Sequence, residues 1–167
     1  RPELDCYGWD ITQHALAKAK QANDGVTYGL SSENRSPYAD NFFDAVLIFD
    51  VLEHVANPNL ILSEVNRVLK NGGIFYSFVP CEDDPLTFWN LLHKLGLKKE
   101  LTKMYAGHIN KFSRKILVNT VQSHGFAVKR IRYSEHILGQ LLGLAAFFSM
   151  DHFAKKHRAS KDAARYD

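Results

Sequence analysis

Cysteine is scarce in this chain of 167 residues: Cys6 and Cys81 are the only two. They fall on different expected elements and lack metal-ligand spacing. A disulfide framework is therefore not expected, and both read as reduced thiols of a cytosolic protein. No apolar run reaches the roughly 20 residues that a membrane-spanning helix needs. Low-complexity tracts and internal repeats are missing too, which argues against disorder and solenoid architectures. The net charge is only +3, with basic residues dispersed through the second half, so no nucleic-acid partner is expected. No signal peptide opens the chain. It begins Arg1-Pro2-Glu3, without methionine, and enters a strand almost at once, as expected of a piece of a longer protein. A glycine-rich phosphate or nucleotide loop is also lacking.

What is present is enough apolar sequence, 46% of residues, for one domain with a real core. Leu4 to Trp9 reads as a strand ending at Asp10. Thr12 caps a helix to about Ala22, and Val26 to Leu30 is a second strand. Phe43 to Phe49 is almost continuously apolar, as expected of a central parallel strand covered on both faces. Asn57 and Pro58 start a helix with Ile61, Val65, Val68 and Leu69 on its buried side. Asn71-Gly72-Gly73 is expected to end that helix, with Ile74 to Val79 as the next strand. Strand and helix alternate, so the fold class is α/β, a Rossmann-like, mostly parallel sheet with flanking helices. Leu86 to Leu101 reads as a helix carrying Phe88, Trp89, Leu92 and Leu95. Ser113 caps another, with Ile116, Leu117, Thr120 and Val121 inward, and Phe126 to Tyr133 alternates like a strand. Ile137 to Met150 carries no charge and is followed by a basic tail.

The ionisable residues at strand ends are the functional candidates, because open α/β sheets bind ligands there. Asp10 has the acceptor-only chemistry to hold two ribose hydroxyls, or else it helps Thr12 cap the first helix. Asp50, Glu53 and His54 follow the Phe43–Phe49 strand directly. His54 and His108 are the candidate general bases, since neutral imidazole takes a proton near pH 7; packing or a turn role is the competing reading for each. Glu53 and His54 are adjacent and point in different directions, and no further His or Cys is spaced to complete a site. A metal is therefore not expected.

Four segments occur in order: Gly8-Trp9-Asp10-Ile11-Thr12, Pro37-Tyr38-Ala39-Asp40-Asn41-Phe42-Phe43-Asp44, Asp50-Val51-Leu52-Glu53-His54-Val55 and Arg67-Val68-Leu69-Lys70-Asn71-Gly72-Gly73. Together they resemble the class I S-adenosylmethionine-dependent methyltransferases, in particular the branch with the ubiquinone and menaquinone enzymes. A fainter echo lies in Gly107-His108-Ile109-Asn110-Lys111-Phe112-Ser113 and Gly125-Phe126. The resemblance implies S-adenosyl-L-methionine as cofactor and S-adenosylhomocysteine as product, with direct transfer to a small-molecule or lipid-like acceptor. It makes Asp10, with Ile11 beside it, the ribose-binding position, and Phe49 and Asp50 the lining around the methionine part. Ser32 or Glu33 falls where the family has an adenine-binding aspartate; the usual Gly-Asp pair is here Ser31-Ser32, with Glu33 one place later. The family's first strand and G-x-G-x-G loop would precede Leu4, so the fold is expected to be incomplete at the N-terminus.

The expected organisation is a methyltransferase domain over 1–135, with a cofactor half over 1–80 and an acceptor-side segment over 81–112. An apolar helix and basic tail follow over 136–167. Segment 137–158 has two readings: a helix packed on its own core or on a second copy in a homodimer, or a peripheral contact with a membrane surface. The competing function is a non-catalytic, methyltransferase-like binding or assembly module.

Overall fold

A computed structural model describes residues 4–22, 24–32, 35–85, 87, 90–91, 94–96 and 106–133. In the C-terminal segment it describes 139, 142–143, 145–146, 148–150 and 152–153. The elements are β1 (Tyr7–Asp10), α1 (Gln13–Lys20), β2 (Thr27–Leu30), β3 (Phe43–Phe49), α2 (Pro58–Val68), β4 (Leu69–Phe78) and α3 (Arg114–Ser123). β1 pairs in parallel with β2, and β3 in parallel with β4, as two separate ladders. Each pair encloses a helix in the connection, which is the βαβ arrangement the alternation implies. The two ladders meet through aromatic side chains: Tyr7 and Trp9 pack on Phe43 at ring separations of 5.7 and 5.5 Å.

The helix starts follow local chemistry. Thr12 Oγ1 accepts the Ala15 amide at 3.3 Å, and Asn57 Oδ1 accepts the Asn59 amide at 3.1 Å with Pro58 at the first helical position. Ser113 caps α3 through the Ile116 amide. α2 buries Leu62, Val65 and Val68. Val65 and Val68 join Phe43, Val46, Ile48 and Leu69 in one core cluster. Leu62 joins Leu52 and Phe112 in a second, against which Leu117 and Val121 of α3 pack.

Three expectations need correction. The Asn71-Gly72-Gly73 run does not end a helix: α2 stops at Val68, and Leu69 is already extended and paired with Phe43. Two steps along β3, from Phe43 to Ala45, are matched by five along β4, from Leu69 to Ile74. The glycines lie in that bulge, where Gly72 adopts φ +78°. β3 is not covered on both faces: Leu47 and Phe49 are 60% and 55% exposed, while Val46 and Ile48 are buried. α2 covers one side, and no described element covers the other. Finally, residues 126–133 form no strand, although β4 keeps an edge unpaired among the described residues; Phe126 meets β4 through its side chain instead, packing on Phe75 at 4.9 Å.

Among the described residues no helix is long and apolar enough to cross a membrane. Of the expected 86–101 helix, Phe88, Trp89 and Leu92 lie outside the described residues, while Asn90, Leu91 and Lys94 are helical. The described residues of 139–153 are helical as well.

Candidate active site

Asp10 closes β1, and its Oδ1 accepts both the amide and the hydroxyl of Thr12, each at 2.7 Å. The capping reading is thus realised, yet it uses one carboxylate oxygen. Oδ2 has no hydrogen bond among the described residues. Ile11 follows as an exposed residue at the same strand end. Ser32 forms an isolated bridge with Arg35, and its hydroxyl donates to the Arg35 carbonyl at 3.2 Å. Glu33 lies outside the described residues.

At the end of β3, Phe49 is exposed and its ring packs against Tyr76 at 5.8 Å. Asp50 has φ +51°, a left-handed conformation uncommon for a residue with a Cβ, although its amide still donates to Phe78 O at 3.1 Å. Strain of this kind collects at functional strand ends. The chain then turns at once, with His54 N donating to Val51 O at 2.9 Å. The turn drives Leu52 and Glu53 inward, both with 0% exposure.

A second segment is fastened to this turn. Glu53 O accepts the amides of Ile109 and Asn110 at 2.9 and 3.0 Å. Asn110 Nδ2 donates to Leu52 O and Val55 O at 3.0 and 2.6 Å. The clamp carries His108 to His54, 4.9 Å between ring centres and 73° between ring planes. His54 Nδ1 lies 3.2 Å from Gly107 O, and His108 Nδ1 lies 2.5 Å from Glu82 Oε1. Glu53 Oε1 is 3.8 Å from His54 Nε2. Burial pushes the Glu53 carboxyl above the ordinary carboxylate range. Neither of its oxygens has a hydrogen bond among the described residues.

The sequence candidates therefore separate into three places: Asp10 and Ile11 after β1, Ser32 after β2, and Phe49, Asp50, His54 and His108 around the end of β3. Reading the sequence missed two residues of the last group. Glu82 follows the Pro80 that stops β4, and Asn110 sits two places after His108. Only their spatial return to the β3 turn distinguishes them from ordinary loop residues.

Parallel strands with an acid closing the first, and a polar turn at the open end of the third, form an α/β arrangement shared with solved class I methyltransferases. Residues 2–77 match the family model described as a methyltransferase domain. The ubiquinone/menaquinone biosynthesis C-methyltransferase of Desulfotalea psychrophila is 36% identical over 74 residues, covering 43% of this chain and 30% of that protein. A methyltransferase of Thermotoga maritima, described as a possible histamine N-methyltransferase, aligns with a TM-score of 0.58 at 22% identity. It covers 74% of this chain and 55% of its own. The putative methyltransferase solved with the Trm112 activator from Haloferax volcanii aligns at 0.59 and 20% identity, covering 75% and 52%. Over residues 2–77, then, the chain is similar to methyltransferases. It spans about a third of the length of that curated relative.

The Thermotoga maritima protein is described as dependent on S-adenosyl-L-methionine. The donor set at β1 fits the ribose of that cofactor, since the free Oδ2 of Asp10 is an acceptor beside the exposed apolar Ile11. The sequence has no G-x-G-x-G loop to approach the rest.

Proposed function

We propose that this chain is part of an S-adenosylmethionine-dependent methyltransferase acting on a small-molecule or lipid-like acceptor. The observation that supports it most is Asp10. Its carboxylate is fixed by Thr12 through one oxygen and open through the other, at a strand end inside the matched segment. S-adenosyl-L-methionine supplies a methyl group already activated on a sulfonium, and S-adenosylhomocysteine leaves. The residues then have to bind, orient and exclude water. Asp10 would hold the ribose hydroxyls, with Ile11 flanking them. Ser32 or Glu33 would meet the adenine edge. Phe49 and the Asp50 corner would line the methionine side. The acceptor would enter from the 81–112 side. There His54 or His108 takes its proton through Nε2, each ring being held by a bond at Nδ1.

Calorimetry with S-adenosylhomocysteine tests this reading. Asp10→Asn keeps an oxygen for Thr12 but removes the charge, so it should bind about tenfold more weakly with α1 intact. An absence of binding heat for the folded full-length protein, or equal affinity in Asp10→Asn, would overturn the assignment.

A further inference from the structure

We infer that Glu53, His54 and His108 form a binding site for one divalent transition-metal ion, with zinc the best match to the donors. Each of the three offers one ligand atom, and these atoms all lie within 4.8 Å of one another. No ion is needed to gather them: the Asn110 clamp and the two amides on Glu53 O already hold residues 107–110 against the β3 turn.

The carboxylate carries the argument furthest. Glu53 has 0% exposure and, among the described residues, both oxygens lack a hydrogen bond, a costly state for a group that water would otherwise solvate. Among the described residues no Lys or Arg neutralises it; the charged or titratable groups that act on it are His54, His108 and Asp50. A cation between the carboxylate and the two imidazoles would satisfy it.

The histidines are prepared in the same sense. Gly107 O can only accept, so His54 carries its proton on Nδ1 and presents the Nε2 lone pair, which lies 3.8 Å from Glu53 Oε1. The Glu82 carboxylate holds His108 Nδ1 likewise, leaving Nε2 as the ligand atom. Metal-bound histidines typically donate their second ring N–H to a carbonyl or carboxylate, which fixes the tautomer and raises basicity. Two neutral imidazoles with one carboxylate favour zinc-type ions over calcium or magnesium, which prefer oxygen donors. Three protein ligands leave a position open, and His54 is exposed enough to admit solvent to it.

With the ion bound, both Nε2 atoms become ligands. An acceptor oxygen bound to the ion would then be acidified and would lose its proton to solvent water, not to a free imidazole. That consequence rests on the methyltransferase reading; the binding site does not.

The test is titration of chelator-treated, dialysed protein with zinc chloride by calorimetry, and with cobalt(II) by visible absorption. We expect one ion per chain and the intense d–d bands of a low-symmetry nitrogen–oxygen site. His54→Ala, at a half-exposed position, should abolish both signals without disturbing the circular dichroism. Glu82→Gln, a positioning change, should weaken binding roughly 10–100-fold. His14→Ala, an exposed histidine on α1, should leave both unchanged. No saturable binding by folded protein would overturn the inference, as would equal binding in wild type and His54→Ala, or loss of binding in His14→Ala. Zinc binding without S-adenosylhomocysteine binding would defeat the proposed function alone, and the reverse would defeat this site alone.

Discussion

Removing the Glu64 carboxylate should destabilise the domain more than any nearby surface change, because it is the shared acceptor of a network that ties residues 36–40 to α2. Glu64 Oε1 accepts the amide of Ser36 at 2.6 Å, and Oε2 accepts Arg67 Nε at 2.8 Å. Arg67 also reaches Asp40, Tyr38 O and Ser36 Oγ. The Glu64 and Arg67 side chains are only 12% and 18% exposed, so solvent screens them little. Glu64→Ala strands the buried Ser36 amide, at about 1–3 kcal/mol, and takes a charge-assisted partner from Arg67, at about 1.5–3 kcal/mol. Asp40 and Tyr38 O retain part of the guanidinium's bonding, so the two losses overlap and we expect about 3 kcal/mol in all. Glu64→Gln keeps an oxygen for Ser36 and should lose about 1–2 kcal/mol. The hydrogen bond from Arg67 holds the Glu64 carboxyl below its ordinary range. A depressed folded-state value means the stabilisation is present above the unfolded value, near pH 4.3, and is lost as pH falls through the folded one. The Glu64→Ala penalty, measured by urea unfolding, should therefore be full at pH 7 and shrink in strong acid. A loss below about 0.5 kcal/mol at pH 7, as for an ordinary surface site, would refute the reasoning. So would equal losses for Ala and Gln, or a penalty that does not change with pH.

Two further substitutions probe how the site is assembled. Asn110→Ala should cost about 1–3 kcal/mol by leaving Leu52 O and Val55 O without their donor. Asn110→Asp should be worse, since a carboxylate would face two carbonyls; in both, hydrogen exchange at the Ile109 amide should accelerate, and an unchanged rate would show that the clamp is not needed. Gly125→Ala should cost more than Gly25→Ala in thermal unfolding. Both glycines have positive φ, +86° and +76°, which costs a Cβ about 1–2 kcal/mol. Only at Gly125 would that Cβ also meet Asn66 Nδ2, at 2.9 Å, which holds His124 O. Equal losses would show that the Asn66 contact yields freely.

The elements that were legible are those whose signals are local. Thr12, Asn57 with Pro58, and Ser113 satisfy amides within three residues of themselves, so their helices could be located from sequence spacing. The apolar run Phe43–Phe49 gave a strand with the right bounds. Where a neighbour decides, the local signal misled. The Gly72-Gly73 pair reads as a turn until Leu69 pairs with Phe43 and makes it a bulge. The alternation over 126–133 reads as a strand, but those residues pair with no described strand, and Phe126 is held by side-chain packing on Phe75.

The site divides along the same line. The amino-acid sequence by itself determined the α/β alternation, the methyltransferase-like motifs over Gly8–Gly73, and Asp10 as an acid at a strand end. These depend on residue type, spacing and the two backbone periodicities. Only the tertiary structure decided that Glu53 points inward with no hydrogen bond from the described residues, and that His108 and Glu82 come from distant segments to stand near His54. Ligand geometry depends on separations in space, and a chain that folds back on itself through hydrogen bonds such as those of Asn110 sets those separations independently of distance along the sequence.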